Sequence, residues 1–238
     1  MQVWAPIFGA VIATGLASAG AAGAVTIDTF YLTDNGCSST CIPSGAPIDP
    51  GGAPYIGTVK VTEVAGALDF SVDLIKGTVF NMAGKSGTHH ALAFNITSTG
   101  TTDSVKNVTV TVSKASSLDF KGEAPGSYKD SPFGNFDDAV DNNGSIKDNG
   151  GSNPTTLTFV VTDTAKNLTF ANITPIGEIY LAADVFSNGN TGNVGAHGGT
   201  ISIATPEPAS WALMLLGVGL TGATLRSRRR ATLALARV

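Results

Sequence analysis

Strict alternation of apolar and polar residues is the pattern that most narrows what this chain can fold into. Thr58-Val59-Lys60-Val61-Thr62-Glu63-Val64 alternates, and so does Leu68-Asp69-Phe70-Ser71-Val72-Asp73-Leu74. Val108–Val112 and Leu157–Val161 repeat the pattern. A period of two puts every second side chain on one face, so each segment reads as a strand with one face in a core and one in water. Helical periodicity is nearly absent. Ala65-Gly66-Ala67 between the first two segments reads as a hairpin turn. Further strands are expected at Val25–Leu32, Ala91–Thr97, Asn167–Ala171, Glu178–Val185 and Thr200–Ala204. About nine or ten short strands joined by Gly/Asn/Pro loops predict an all-β fold, an antiparallel β-sandwich of jelly-roll-like type.

Two loops are expected to be long, Cys37–Pro54 and Ala124–Pro154. The first holds both cysteines, Cys37 and Cys41. In an oxidising compartment so close a pair forms a disulfide that pins local shape, since a short loop holds little unfolded-state entropy to remove. The spacing is not that of a redox Cys-x-x-Cys site, and no second Cys/His pair lies nearby to complete a metal site.

The second loop carries the best candidate for a cation. Asp141, Asn143 and Gly144 match positions three, five and six of a calcium loop, but the first position is then Ala139 and the twelfth Gly150. An EF-hand needs oxygen ligands at both. Calcium held by Asp137, Asp138, Asp141, Asn143 and Asp148 in another geometry, or a solvated acidic loop, are the two readings. His89-His90 opens the Ala91–Thr97 strand, where neighbours point to opposite faces, so the two cannot readily share one metal. No Gly-x-Ser-x-Gly elbow occurs. Gly84-Lys85-Ser86 lacks the upstream glycine and the strand-to-helix context of a phosphate loop. Asp69 and Asp73 fall on an outward strand face, not in a cleft of facing carboxylates.

Charge is unevenly divided. All five arginines lie at the C-terminus, and residues 25–205 hold nine lysines against seventeen acidic residues, a net of −8. Such a body offers no electrostatic basis for binding nucleic acid.

Both ends read as targeting segments. Ala5–Leu16 is an apolar stretch of signal-peptide length followed by small residues, and Ala22-Gly23-Ala24 is the favoured cleavage site, giving a signal peptide over 1–24. The body is then a single domain over 25–205. Ala209–Leu225 carries no charge. At about 1.5 Å per residue it spans roughly 26 Å, against a hydrocarbon core of about 30 Å. It is expected to be a marginal transmembrane helix. The arginines behind it would stay cytoplasmic by the positive-inside rule, with 231–238 as a short cytoplasmic tail and Trp211 at the outer interface.

Pro206-Glu207-Pro208, Trp211-Ala212, the short span and the cluster Arg226, Arg228, Arg229 and Arg230 together resemble the PEP-CTERM sorting signal in its Pro-Glu-Pro-x-x-Trp-Ala variant. The resemblance covers residues 206–230, and Ala231–Val238 continue beyond the point where members of the family usually end. It implies recognition by a membrane-embedded exosortase, a transient stay at the inner membrane, and delivery to the cell surface or an exopolysaccharide matrix, as in biofilms. Thr88–Asn95 and Leu181–Val185 also resemble segments of small ectodomains of this sorting class, which have no assigned activity. The leading expectation is a non-enzymatic surface or matrix protein with no cofactor. The alternative is a carbohydrate-binding sandwich using Tyr55, Tyr128, Phe133 and Phe136. A hydrolase is the third reading.

Overall fold

The structure is a computed structural model. It describes residues 26–81, 89–97, 108–112, 119–144, 146, 152–198 and 200–203. The signal peptide, the sorting tail, its membrane span and Asp148 lie outside the described residues.

The fold is all-β. Fourteen strands are described: β1 (Thr26–Asn35), β2 (Gly57–Val64), β3 (Ala67–Leu74), β4 (Thr78–Phe80), β5 (Leu92–Phe94), β6 (Val108–Val112), β7 (Phe120–Gly122), β8 (Tyr128–Asp130), β9 (Gly134–Phe136), β10 (Asp138–Asn142), β11 (Thr156–Asp163), β12 (Leu181–Ser187), β13 (Asn190–Ala196) and β14 (Thr200–Ile203). The main sheet runs β6-β11-β3-β2-β1-β13-β12-β5-β10-β7, with β14 beside β1 and β4 beside β12. All pairings are antiparallel.

One strand makes the sheet wrap into a barrel-like sandwich. The first half of β1 pairs with β2 and β14, and its second half turns onto β13 through a register shift between Leu32 and Asp34. A bulge bends a strand and increases its twist, which lets β1 serve both walls. At the far side the two ends of the sheet come together. A Cβ on Gly122 of β7 would lie 2.1 Å from the Val110 carbonyl oxygen of β6, so only the absence of a side chain permits that approach.

The alternating segments do what their period dictates. In β3 the apolar residues Leu68, Phe70, Val72 and Leu74 are buried while Asp73 is exposed. The turn between β2 and β3 has φ of 48° at Ala65 and 79° at Gly66, the positive-φ pair that a tight hairpin needs. Phe70 stacks on its cross-strand partner Phe159 with centroids 4.6 Å apart, and Phe94 of β5 closes on both at 5.2 and 5.5 Å. This aromatic cluster ties the β3/β11 wall to the β5 wall.

Three expectations are corrected. Asn167–Ala171 is not a strand: a 3-10 turn spans Phe170–Asn172, held by Asn172 Oδ1 accepting from the Thr169 backbone N–H at 2.7 Å and the Glu63 carboxylate accepting from that of Phe170 at 2.6 Å. Those side-chain bonds replace the ladder a strand would have needed. The span Ala124–Pro154 is not one long loop, because β8, β9 and β10 lie within it. Finally, β4, β7 and β13 were not anticipated; β13 (Asn-Thr-Gly-Asn-Val-Gly-Ala) has loop-like composition and is a strand because β1 and β12 flank it.

Candidate functional site

The β8–β9 hairpin forms its own two-stranded sheet and, among the described residues, pairs with no other strand. It packs on the outer side of the β12–β5–β10 wall. Ala93, Ala139, Ala182, Ile179 and Phe136 form a second apolar cluster there, joined by Tyr128, Phe133 and Ile176. Leu181, Ala183 and Val185 belong to the main core, so β12 is buried on both faces and loses its alternation. The small residues are the seat for the aromatic ones. A Cβ on Gly195 would lie 3.1 Å from the Phe133 ring, and one on Gly36 would lie 2.5 Å from Pro132 Cδ.

Polar groups are trapped at this seam. Asp130 ends β8 fully buried. Its Oδ1 accepts from the His90 backbone N–H at 3.1 Å and from Asn193 Nδ2 at 3.4 Å, and lies 3.3 Å from His90 Nδ1. Asn193 Nδ2 also donates to the Ser131 carbonyl at 2.8 Å. Asp130 Oδ2 and Asn193 Oδ1 are buried with no hydrogen-bond partner. The Tyr128 ring meets that of His90 edge-on at 5.1 Å, and the Tyr128 hydroxyl donates to the Ala124 carbonyl. Asp184, the cross-strand partner of Asn193, accepts from Asn81 Nδ2 at 3.3 Å and has His89 Nδ1 3.8 Å away. The two histidines precede β5 rather than sit in it, and each meets its own carboxylate.

Electrostatics at the seam follow from burial. Burial raises the Asp130 pKa, and the hydrogen bond and charge of His90 only partly offset it. Burial pulls His90 down, but the hydrogen bond and charge of Asp130, with the charges of Asp141 and Glu123, leave it above the ordinary 6.5. Burial also raises Tyr128, helped by Glu123, Asp138 and Asp141. A buried His–Asp pair could orient a proton; here it joins the segment before β5 to the end of β8 and acts as a clasp between them.

Of the residues expected to hold a cation, Asp137, Asp138, Asp141 and Asn143 are described, and Asp148 is not. Asp138 is fully buried in β10, its Oδ2 accepting from the Ile96 backbone N–H at 3.1 Å and its Oδ1 without a partner. Burial raises its pKa to about 7. The Asp137 backbone N–H donates to Asn95 Oδ1 at 2.7 Å, which ties β10 to the end of β5. Asp141 lies on β10 opposite Lys121, and Asn143 is exposed beyond the strand. The turn that follows is organised by Asn142, whose Oδ1 accepts from the Gly144 and Ile146 backbone N–H groups at 2.7 and 3.1 Å. Ala139 to Asn142 are thus strand residues, not the start of a calcium loop. Among the described residues no three His, Cys, Asp or Glu side chains are placed to hold a metal ion.

The aromatic candidates also separate. Phe136 is fully buried, so it has no face left for a sugar; its place in β9 points it at the alanine seat. Phe133 and Tyr128 are half-buried against the same cluster. Tyr55 is half-exposed elsewhere, 5.1 Å from Tyr31 in an edge-on pair that the sequence did not single out. Cys37 and Cys41 are joined by a disulfide, with Cα atoms 6.0 Å apart. A Cβ on Gly192 would lie 2.8 Å from the Cys37 Cα, so the cross-linked loop sits flat on β13.

The described residues thus define an antiparallel β-sandwich with a strapped outer wall, followed in the sequence by a targeting tail. That tail matches the family model for the PEP-CTERM protein-sorting motif over residues 204–230, so the chain carries that sorting motif. The match begins directly after β14, which ends at Ile203, and covers 27 of the 238 residues. It supports sorting through a C-terminal signal, a process generally associated with exosortase, and implies export via the membrane. No curated protein and no solved structure shows significant similarity to the chain. Among the described residues no helix is long and apolar enough to cross a membrane; the expected span over 209–225 lies outside them.

Proposed function

We propose that this is an exported, non-enzymatic surface or matrix protein whose sandwich is cargo for its own C-terminal signal. The observation that carries the reading is the sorting motif at 204–230, beginning one residue after the last strand. In this reading the tail holds the chain at the inner membrane, an exosortase processes it, and the acidic sandwich passes to the envelope or to exopolysaccharide. Mass spectrometry of the mature protein from its host tests it. A C-terminus lacking Arg228 to Val238 is the expected result. A mature chain that retains them would leave a simple tail anchor in place of processing.

A carbohydrate-binding sandwich is the second reading, supported by the half-exposed Tyr31–Tyr55 pair. Tyrosine rings present an apolar face with a polar tip, which suits sugar stacking at a wet surface. Binding of the full chain to immobilised host exopolysaccharide is expected to weaken about tenfold in Tyr55→Ala, the loss of roughly 1.4 kcal/mol. Absence of retention even at high protein concentration would reject this reading and leave the first standing.

A further inference from the structure

We propose that the β8–β9 hairpin is a pH-tuned strap, held more tightly on the sheet by the His90–Asp130 contact in acid and opening more often above neutrality, when it uncovers the Ala93/Ala139/Ala182 face. Three observations combine. The hairpin has no ladder to the main sheet, and a lone two-stranded hairpin is marginally stable in water. Its attachment therefore rests on the apolar seat, on the Asp130 contacts to His90 and Asn193, and on the Asn193 bond to the Ser131 carbonyl. The partner of that contact is a histidine, the side chain whose charge changes near neutrality. Asp130 and His90 come from different elements, so losing their attraction acts on the attachment and not on either strand alone.

The groups around His90 set the sign. Asp130 and Tyr128 face it from the hairpin. Asp141 of β10 and Glu123 beyond β7 act on it by charge, and Glu123 is itself paired with Lys121 at 2.7 Å. His89 and Asp184 form the neighbouring pair. Asp130, Asp141 and Glu123 all favour the imidazolium. His90 and Asp130 both have raised folded values, so the strapped form binds more protons than the released one. The His90 contribution is complete below the ordinary 6.5 and is lost as pH rises through its higher folded value. Above that point Asp130 is a buried carboxylate facing a neutral ring, with one oxygen unpartnered. Release lets it reach water.

Amide hydrogen exchange on the full chain in detergent tests this, with intrinsic rates corrected and in an Asp138→Asn background that removes the other buried group titrating near neutrality. Between about pH 5.5 and about pH 8.5, protection over 128–136 is expected to fall about tenfold relative to β2 and β3. In His90→Gln, which keeps a hydrogen-bonding side chain without the titration, the ratio should stay flat. A ratio in the parent that does not change with pH overturns the strap, as does an unaltered slope in His90→Gln. Should His90→Gln fail to fold, Asp130→Asn provides the same comparison, and an unaltered slope there counts equally against it.

Discussion

Phe136→Ala is expected to lower the stability of the sandwich by about 3–5 kcal/mol, the range for deleting a buried phenylalanine side chain. Phe136 is fully buried against Ala93, Ala139 and Ala182. The three alanines are methyl-sized and lie on strands fixed by ladders on both sides, so they cannot move into the space left behind. Denaturant unfolding of the full chain in detergent measures the loss. The same substitution separates packing from recognition, since a residue displayed for a ligand would cost well under about 1 kcal/mol when truncated at a surface. A small loss would show that the hairpin is not part of the core.

Stability is also expected to fall as pH rises from about 4 to about 7, the reverse of ordinary acid denaturation. Asp138 dominates. Burial lifts its pKa from 3.8 to about 7, so the folded state holds a proton that the unfolded state has released. A raised carboxylate gives stability that is complete below its ordinary value and disappears as pH climbs through the folded one. Across that window the loss is on the order of 4 kcal/mol as an upper limit, at about 1.4 kcal/mol per pKa unit. Asp28, Asp130 and His90 are raised too and push in the same direction. Asp138→Asn keeps an oxygen to accept from the Ile96 N–H and removes the titration. It should therefore be the more stable protein at about pH 8 and show a flatter profile. A variant with the same pH slope as its parent would mean that Asp138 is ionised in the folded state throughout.

The strands read from strict alternation share one property: a face in the core and a face toward water. β2, β3, β6 and β11 keep their alternation, with apolar residues buried and the residues between them largely half-buried or exposed. The β12–β5–β10 wall was harder to read because the hairpin covers it. Leu92 to Phe94 and Leu181 to Val185 are buried without a break, so the period vanishes just where the fold adds a layer. The hairpin itself, Tyr128–Phe136, holds Pro, Gly and Asn and reads as a loop. Its aromatics looked like surface residues because two of the three seat alanines, Ala93 and Ala182, are 35 to 54 residues away along the chain. The clasp was equally hidden: His90 and Asp130 are 40 residues apart, and no local spacing predicts that a carboxylate will be buried beside a ring.

By itself the sequence determined the all-β class, the β2–β3 turn, the close cysteine pair and the sorting motif after β14. Those rest on local rules: the pleat repeats every two residues, a tight turn needs positive φ, and a targeting tail is read as an extended string of residue types. Only the tertiary structure decided that the barrel wall carries a second layer, that Phe136 is core, and that Asp138 and the His90–Asp130 pair are out of water. Burial is a property of what the rest of the chain places overhead, and it is burial that turns ordinary carboxylates into groups that titrate near neutrality.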